Sequence, residues 1–310
     1  MPERTARPAR RASVPSFTIV IPTYQAASTI GDAVESAVKQ TCAALEVIVC
    51  DDGSTDDLAG ALAPYRQSIR LIRKENGGVA SALNCALDVA RGDYVAILNA
   101  DDVYAPDRLK ALGELVTERP DLDIVTTDAY IEADGKVVDL FSTTTPFIVD
   151  DQRAGILRRC FVGGWPALRR SRLVGIGGWD ESLRIGEDWD LWLRLILEGS
   201  RAGFVDEPLM SYRLRAGSLT SNRIENLRAR VALLEKARSH PSLTRRERRI
   251  LGSSISWQRS RLRTEIERRS GEAGQPQNLS LRVARLRESL AYARFRGMEV
   301  ARGWPRVGGR

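Results

Sequence analysis

Histidine is nearly absent from this sequence: His240 is the only one among 310 residues. That removes histidine-based nucleophile triads and imidazole metal clusters together. Cysteine is scarce too. Cys42, Cys50, Cys85 and Cys160 stand far apart, form no Cys-x-x-Cys pair and lie in apolar segments, which reads as reduced thiols rather than disulfides or zinc ligands. No run approaches the roughly 18 apolar residues of a membrane span. The basic start "MPERTARPARRASVP" leads only into "FTIVI", too short for a secretory signal core, so the expectation is a cytoplasmic chain. There is no internal repeat. Acid–base chemistry, if the chain performs any, must rest on carboxylates.

What is present is an ordinary globular composition, 43% hydrophobic and 28% charged, enough for one large core and an appendage. Charge divides the chain. Residues 221–310 hold 22 Arg/Lys against 8 Asp/Glu, which leaves 25 against 32 for residues 1–220. A body of net −7 therefore carries a tail of net +14.

The body alternates strand-like runs with helical periodicity. "FTIVI" and "LEVIVC" flank Ile30, Ala33, Val34, Ala37 and Val38 at helical spacing, behind Thr29 and Asp32 spaced as a capping box. "IRLI" (69–72) and "YVAIL" (94–98) flank a second helical stripe from Val79 to Ala90. Pro106 suits the first turn of a helix carrying Leu109, Leu112 and Val116, "DIVTT" follows as a strand, and Asp134-Gly135 marks a hairpin between "AYIEA" and "KVVDL". The pattern predicts an α/β fold, a mostly parallel twisted sheet flanked by helices in Rossmann-like fashion.

Ligands of such sheets gather outside the carboxyl ends of strands. The second strand ends in "CDDGSTDD" and the fourth in "NADD" (Asn99 to Asp102). Each cluster alone is ordinary turn and helix-cap chemistry. Two clusters at adjacent strand ends would repel unless a cation compensates, and hard oxygen donors without Cys or His favour Mg²⁺ or Mn²⁺ shared with substrate phosphates.

These residues carry a resemblance. "SFTIVIPTYQAASTIGDAVESAVKQTCAALEVIVCDDGSTDD", "NGGVASALNCAL", "GDYVAILNADDVYAPDRL", "GGWDESLRIGEDWDLWLRLILEG" and "EPLMSYRLRAGSLT", in this order over about residues 16–220, resemble family 2 glycosyltransferases, the inverting nucleotide-sugar enzymes of GT-A fold. The resemblance implies a donor of UDP, GDP or dTDP type, a glycan or lipid-linked acceptor, and a place in cell-envelope polysaccharide biosynthesis. It assigns Pro22 and Tyr24 to the nucleoside pocket, Asp52 to a hydrogen bond from the base, and Asp101 with Asp102 to the divalent ion. Asp188 matches the family's catalytic base, with Glu187 its rival and Asp190 a distant third. Trp165, between Gly-Gly and Pro, reads as an exposed acceptor-side aromatic. Arg213 and Arg215 stand where family members often carry His, and Arg215 is the expected phosphate contact. Asn99 stands where the family often has an acid, which weakens the expected metal set.

The expected organisation is a disordered basic arm over 1–15, a GT-A catalytic domain over 16–220, and a basic helical extension over 221–310. The extension reads first as a solvated helical cap, then as a peripheral contact to the inner membrane face; no RNA or DNA motif accompanies its arginines. Two other functions stay open. A sugar nucleotidyltransferase would want a Gly-rich, basic loop after the first strand, and "PTYQAAST" lacks it. A noncatalytic nucleotide-sugar binder has Asn99 as its only hint.

Overall fold

The computed structural model describes residues 15–215 and 222–271. The basic arm, apart from its last residue, the end of the closing segment and the last predicted helix of the tail lie outside the described residues.

The strands are β1 (Phe17–Thr23), β2 (Glu46–Asp51), β3 (Arg70–Arg73), β4 (Tyr94–Ile97), β5 (Val103–Tyr104), β6 (Ile124–Ala133), β7 (Lys136–Leu140), β8 (Ala167–Arg169) and β9 (Ala202–Leu214). The helices are α1 (Ile30–Val38), α2 (Leu58–Leu62), α3 (Val79–Val89), α4 (Arg108–Glu118), α5 (Phe141–Thr144), α6 (Gln152–Ile156), α7 (Arg170–Gly175), α8 (Glu187–Leu197), α9 (Arg223–Ala237) and α10 (Arg245–Gly271). They build one mixed sheet in the order β3-β2-β1-β4-β8-β6-β9-β5, with β7 paired to β6. The first four strands are parallel. Beyond β4 the antiparallel β8 intervenes, and the parallel pair β6–β9 follows. The predicted α/β class with helices on both faces is what forms.

Alternation along β1 shows how the layers divide. Ile19 and Ile21 point into one core with Ile30, Ala33 and Val34 of α1 and Leu109 and Leu112 of α4. Val20 points into the other, with Ala82, Leu83 and Ala86 of α3 and Trp189, Trp192 and Leu193 of α8. That second core also takes in Leu233 and Leu234 of α9 and Leu251 and Ile255 of α10, so the basic helices seat their apolar stripe on the α/β body. Trp189, Trp192, Leu193 and Ile196 form the packing face that their spacing predicts. The four cysteines are free thiols.

Several local expectations change. "DIVTT" and "AYIEA" are one ten-residue strand, β6, and Asp134 (φ 53) with Gly135 (φ 70) makes the predicted turn into β7. Thr29 caps nothing with its side chain; its hydroxyl instead donates to Ala100 O at 2.7 Å, tying α1 to the loop after β4. β1 lies between β2 and β4, so the two acidic clusters are not on adjacent strands and stand roughly 10 Å apart by strand spacing. The chain runs from β1 outward to β3 and then returns to the other side of β1 as β4, which places the crevice of a doubly wound sheet above the β1 and β4 ends. Among the described residues no helix is long and apolar enough to cross a membrane.

Candidate active site

The first wall of the crevice is the end of β1. Pro22 is buried there, and Tyr24 leaves the strand 53% exposed. The next residue, Gln25, has φ 51, a left-handed conformation that costs about 1 kcal/mol or more without support. Support comes from the acidic loop after β2: Gln25 N donates to Ser54 Oγ (3.0 Å), Gln25 Nε2 to Thr55 Oγ1 (2.8 Å), and Asp56 N to Gln25 Oε1 (3.1 Å). Much of "CDDGSTDD" therefore holds the backbone that presents Tyr24. Asp51 accepts from Ser54 N at 2.8 Å, Asp56 from Ala27 N at 2.7 Å, and Asp57 caps α2 through Gly60 N.

Asp52 departs from expectation. It is only 2% exposed, and its carboxylate accepts from Lys74 Nζ (2.9 Å), Gly77 N (2.9 Å) and Gly78 N (2.7 Å). With three donors on two oxygens, this carboxylate orders the 74–78 loop and keeps about one of its four acceptor positions unused. Gly53 fits the same design: at φ +80, a Cβ there would meet Asn76 N at 3.0 Å.

At the end of β4 the two aspartates diverge. Asp102 is 0% exposed and accepts from Asn99 Nδ2 (2.9 Å) and Arg213 N (3.0 Å). Burial, then the neighbouring Asp101 charge, pushes it up to about 7, against those two donors. Expected as a second metal ligand, Asp102 instead faces the interior and locks the closing strand β9 to this loop. Asp101 stays at the half-buried rim. Burial raises its carboxyl, while its own backbone amide and the charges of Arg215 and Arg213 oppose the rise. No other residue hydrogen-bonds it among the described residues. Asn99 spends its Nδ2 on Asp102, so its carbonyl oxygen is the atom left for a ligand. A hard divalent ion fits this donor set of one anionic and one neutral oxygen. Among the described residues no three His, Cys, Asp or Glu side chains converge to cage an ion, so phosphate or water oxygens must complete its shell.

A loop joins this rim to the second acid pair. Ile97 N, at the end of β4, donates to Pro166 O (3.1 Å), and a Cβ on Gly164, two residues earlier, would lie 3.5 Å from Asp188 Oδ2. Asp188 and Glu187 open α8, both half-buried. Burial, then the charge of Asp188, pushes Glu187 up to about 8. Burial also raises Asp188, but Trp189 N donates to its Oδ1 at 2.6 Å and Arg230 of α9 favours its anion. Both carboxyls are thus raised, and the Trp189 amide and the Arg230 charge favour the anion on Asp188 over Glu187. Asp190 is no rival: it is buried and paired with Arg194 (2.8 Å) and Lys236 (2.7 Å).

Trp165 is corrected outright. It is 3% exposed, edge-on to Phe141 at 4.8 Å and tilted on Tyr212 at 5.4 Å, with Nε1 donating to Thr127 O (3.4 Å). It is a core anchor of the joining loop, not an exposed platform. Arg108, fully buried, fixes the same loop by donating to Trp165 O at 2.7 Å and to the Thr127 hydroxyl. Arg215 is exposed beside Asp101, where a phosphate can reach it. Sequence reading missed three fixtures of this site: Thr29, Arg108, and Asp32, which pairs with Arg213 at 2.7 Å. Only the Thr29–Asp32 spacing gave a signal, and it suggested a helix cap.

The model described as Glycosyl transferase family 2 matches residues 18–173, and the chain belongs to that family. It is a glycosyltransferase of GT-A fold, in a family whose donors are nucleotide sugars. Among its relatives is the UDP-Glc:alpha-D-GlcNAc-diphosphoundecaprenol beta-1,3-glucosyltransferase WfaP of Escherichia coli, 30% identical over 67% of this chain and 81% of that protein. Among solved structures, S. aureus TarS 1–349 with UDP-GlcNAc shares the fold at a TM-score of 0.65 and 21% identity, over 80% of this chain and 74% of that one. The mannosyltransferase PcManGT of Pyrobaculum calidifontis with GDP-Man and Mn²⁺ gives a TM-score of 0.60 and 21% identity, over 91% and 81%.

Proposed function

We propose that this chain is an inverting glycosyltransferase in which Asp188 removes the proton from an acceptor hydroxyl. The observation that carries this reading is the acid pair at the start of α8, where both carboxyls meet backbone amides but only Asp188 also has an arginine, Arg230, to stabilise its anion. As the acceptor oxygen bonds to the anomeric carbon, the bond from that carbon to the diphosphate breaks on the opposite face, and the hydroxyl proton passes to the Asp188 carboxylate. Pro22, Tyr24 and the 74–78 loop that Asp52 orders form the nucleoside wall. Asp101, with the Asn99 carbonyl oxygen, would hold Mg²⁺ or Mn²⁺, which neutralises charge on the departing diphosphate. Arg215 pairs with diphosphate oxygens from the exposed side. Glu187, neutral, stands beside the base as a hydrogen-bond donor to the acceptor.

The names of the relatives suggest UDP as the first nucleotide to try, GDP as the second, and a glycan or lipid-linked hydroxyl as acceptor. Calorimetric titration with UDP, GDP, dTDP and CDP, each with and without Mn²⁺, tests the donor half. One nucleotide should bind, more tightly with Mn²⁺, and Asp101→Ala should erase the difference. Failure of all four to bind would replace this reading with a noncatalytic one.

A further inference from the structure

The arginines of α9 and α10 gather where the base sits. On α9, Arg223, Leu227, Arg230 and Leu234 recur along one face, and on α10 so do Trp257, Arg261, Glu265 and Arg268. Leu227, Leu234 and Glu265 are buried, so both stripes turn toward protein. The single carboxylate among them is already shared: Glu265 takes Arg223 at 3.2 Å and Arg268 at 2.5 Å. Arg261 lies 4.7 Å over the Trp257 ring. The Arg230 side chain makes no hydrogen bond or ion pair among the described residues, and its charge acts on Asp188, Cys160 and Arg223. The arginines also act on one another, since Arg230 and Arg223 add to the burial that lowers Arg261 to about 10.

The packing explains this meeting. Gly186, the residue before the acid pair, has φ +84, and a Cβ there would meet Leu233 Cδ2 at 2.8 Å. Leu233 stands one turn from Arg230, so α9 presses on the first turn of α8 and delivers Arg230 beside Asp188. Arg230 is nevertheless solvent-exposed, the condition of a side chain that lines a cleft. Crowded like charges cost free energy unless an anion joins them, and the guanidinium fork matches phosphate oxygens.

We propose that Arg230, backed by Arg223 and Arg261, binds a phosphate or diphosphate carried by the acceptor, next to the sugar whose hydroxyl Asp188 deprotonates. This rests on the transferase reading for the word acceptor, but the anion site can be measured without it. The acceptor is then a phosphorylated glycan or a lipid-linked diphosphate sugar, and the extension forms the acceptor side of the active site.

The test is titration of the full-length protein with decyl diphosphate and with inorganic pyrophosphate. Wild type and Asp101→Ala should bind decyl diphosphate alike. Arg230→Gln should weaken it about tenfold or more, and the outward-facing control Arg228→Gln should leave it unchanged. Arg261→Gln provides a second route should Arg230→Gln melt early. Arg230→Gln and Arg261→Gln binding as well as wild type, or binding lost only in Asp101→Ala, would overturn the proposal. Decyl diphosphate and pyrophosphate binding within about threefold would identify a soluble phosphorylated acceptor; tighter decyl diphosphate would identify a lipid-linked one. Normal nucleotide binding with no response to Arg230→Gln or Arg261→Gln would sink this inference alone. Arg230-dependent diphosphate binding with no nucleotide binding would sink the transferase reading alone.

Discussion

Asp101–Asp102 and Glu187–Asp188 are both consecutive carboxylates with pKa values raised by burial, yet they resolve their repulsion in opposite order. In the first pair the second residue turns inward, takes donors from Asn99 and Arg213, and leaves the first at the rim. In the second pair burial and the Asp188 charge raise the first residue, and the second gains the Trp189 amide and the Arg230 charge, which favour its anion. The surroundings decide which acid remains an anion. The first faces a space suited to a cation and the second a space bordered by arginine, and in the function proposed above that difference separates a leaving-group site from a base.

The comparison breaks most directly at Asp188. Asp188→Asn should lower kcat by about 10³-fold or more while nucleotide affinity stays within about twofold, measured by steady-state kinetics and calorimetry. Glu187→Gln causing the larger loss would reverse the assignment within the pair. Next in size is Trp165→Ala, which should destabilise the fold by about 3–5 kcal/mol in urea unfolding. Unchanged stability with a raised acceptor KM would return Trp165 to a sugar-stacking role.

On the cation side, Asp101→Ala should remove the Mn²⁺ enhancement of nucleotide binding, a loss of about tenfold or more. Asp102→Asn should retain that enhancement; a loss equal to that of Asp101→Ala would make the two aspartates equivalent ligands. An effect of similar size concerns pH. Glu187 holds its proton more tightly folded than unfolded, so its contribution to stability is complete below its ordinary value of 4.5 and is lost as pH rises toward about 8. Glu187→Gln should therefore gain on wild type by on the order of 2 kcal/mol between pH 5 and pH 8 in thermal melts. Equal pH profiles would show that the pair is not split. The smallest effect is at Tyr24, where Tyr24→Ala should weaken nucleotide binding about tenfold with no change in Tm.

The parallel half of the sheet was legible because α1 and α3 repeat their apolar residues with a 3.6 period and β2 and β4 end in turn chemistry, although the five-residue α2 between β2 and β3 is too short to show a period. The far half was not. β8 is three residues long, β5 two, and β9 contains Pro208 within irregular alternation, so all three exist through their partners rather than their own pattern. Trp165 misled for the same reason: Gly-Gly before it and Pro after it describe a turn, while Phe141 and Tyr212, remote in sequence, bury the ring. In "CDDGSTDD", turn and cap chemistry accounts for Asp51, Asp56 and Asp57, and Asp52 supports a loop.

By itself the sequence determined the family, the class of fold, and the placing of acids after β2 and β4 and at the start of α8, because period, turn residues and motif order are local properties of the chain. Only the tertiary structure decided which acid of the first pair stays at the rim and which acid of the second pair has its anion favoured. That choice depends on donors brought from elsewhere, the Arg213 amide 111 residues beyond Asp102 and the Arg230 guanidinium on a helix outside the matched family region, and no local pattern encodes it.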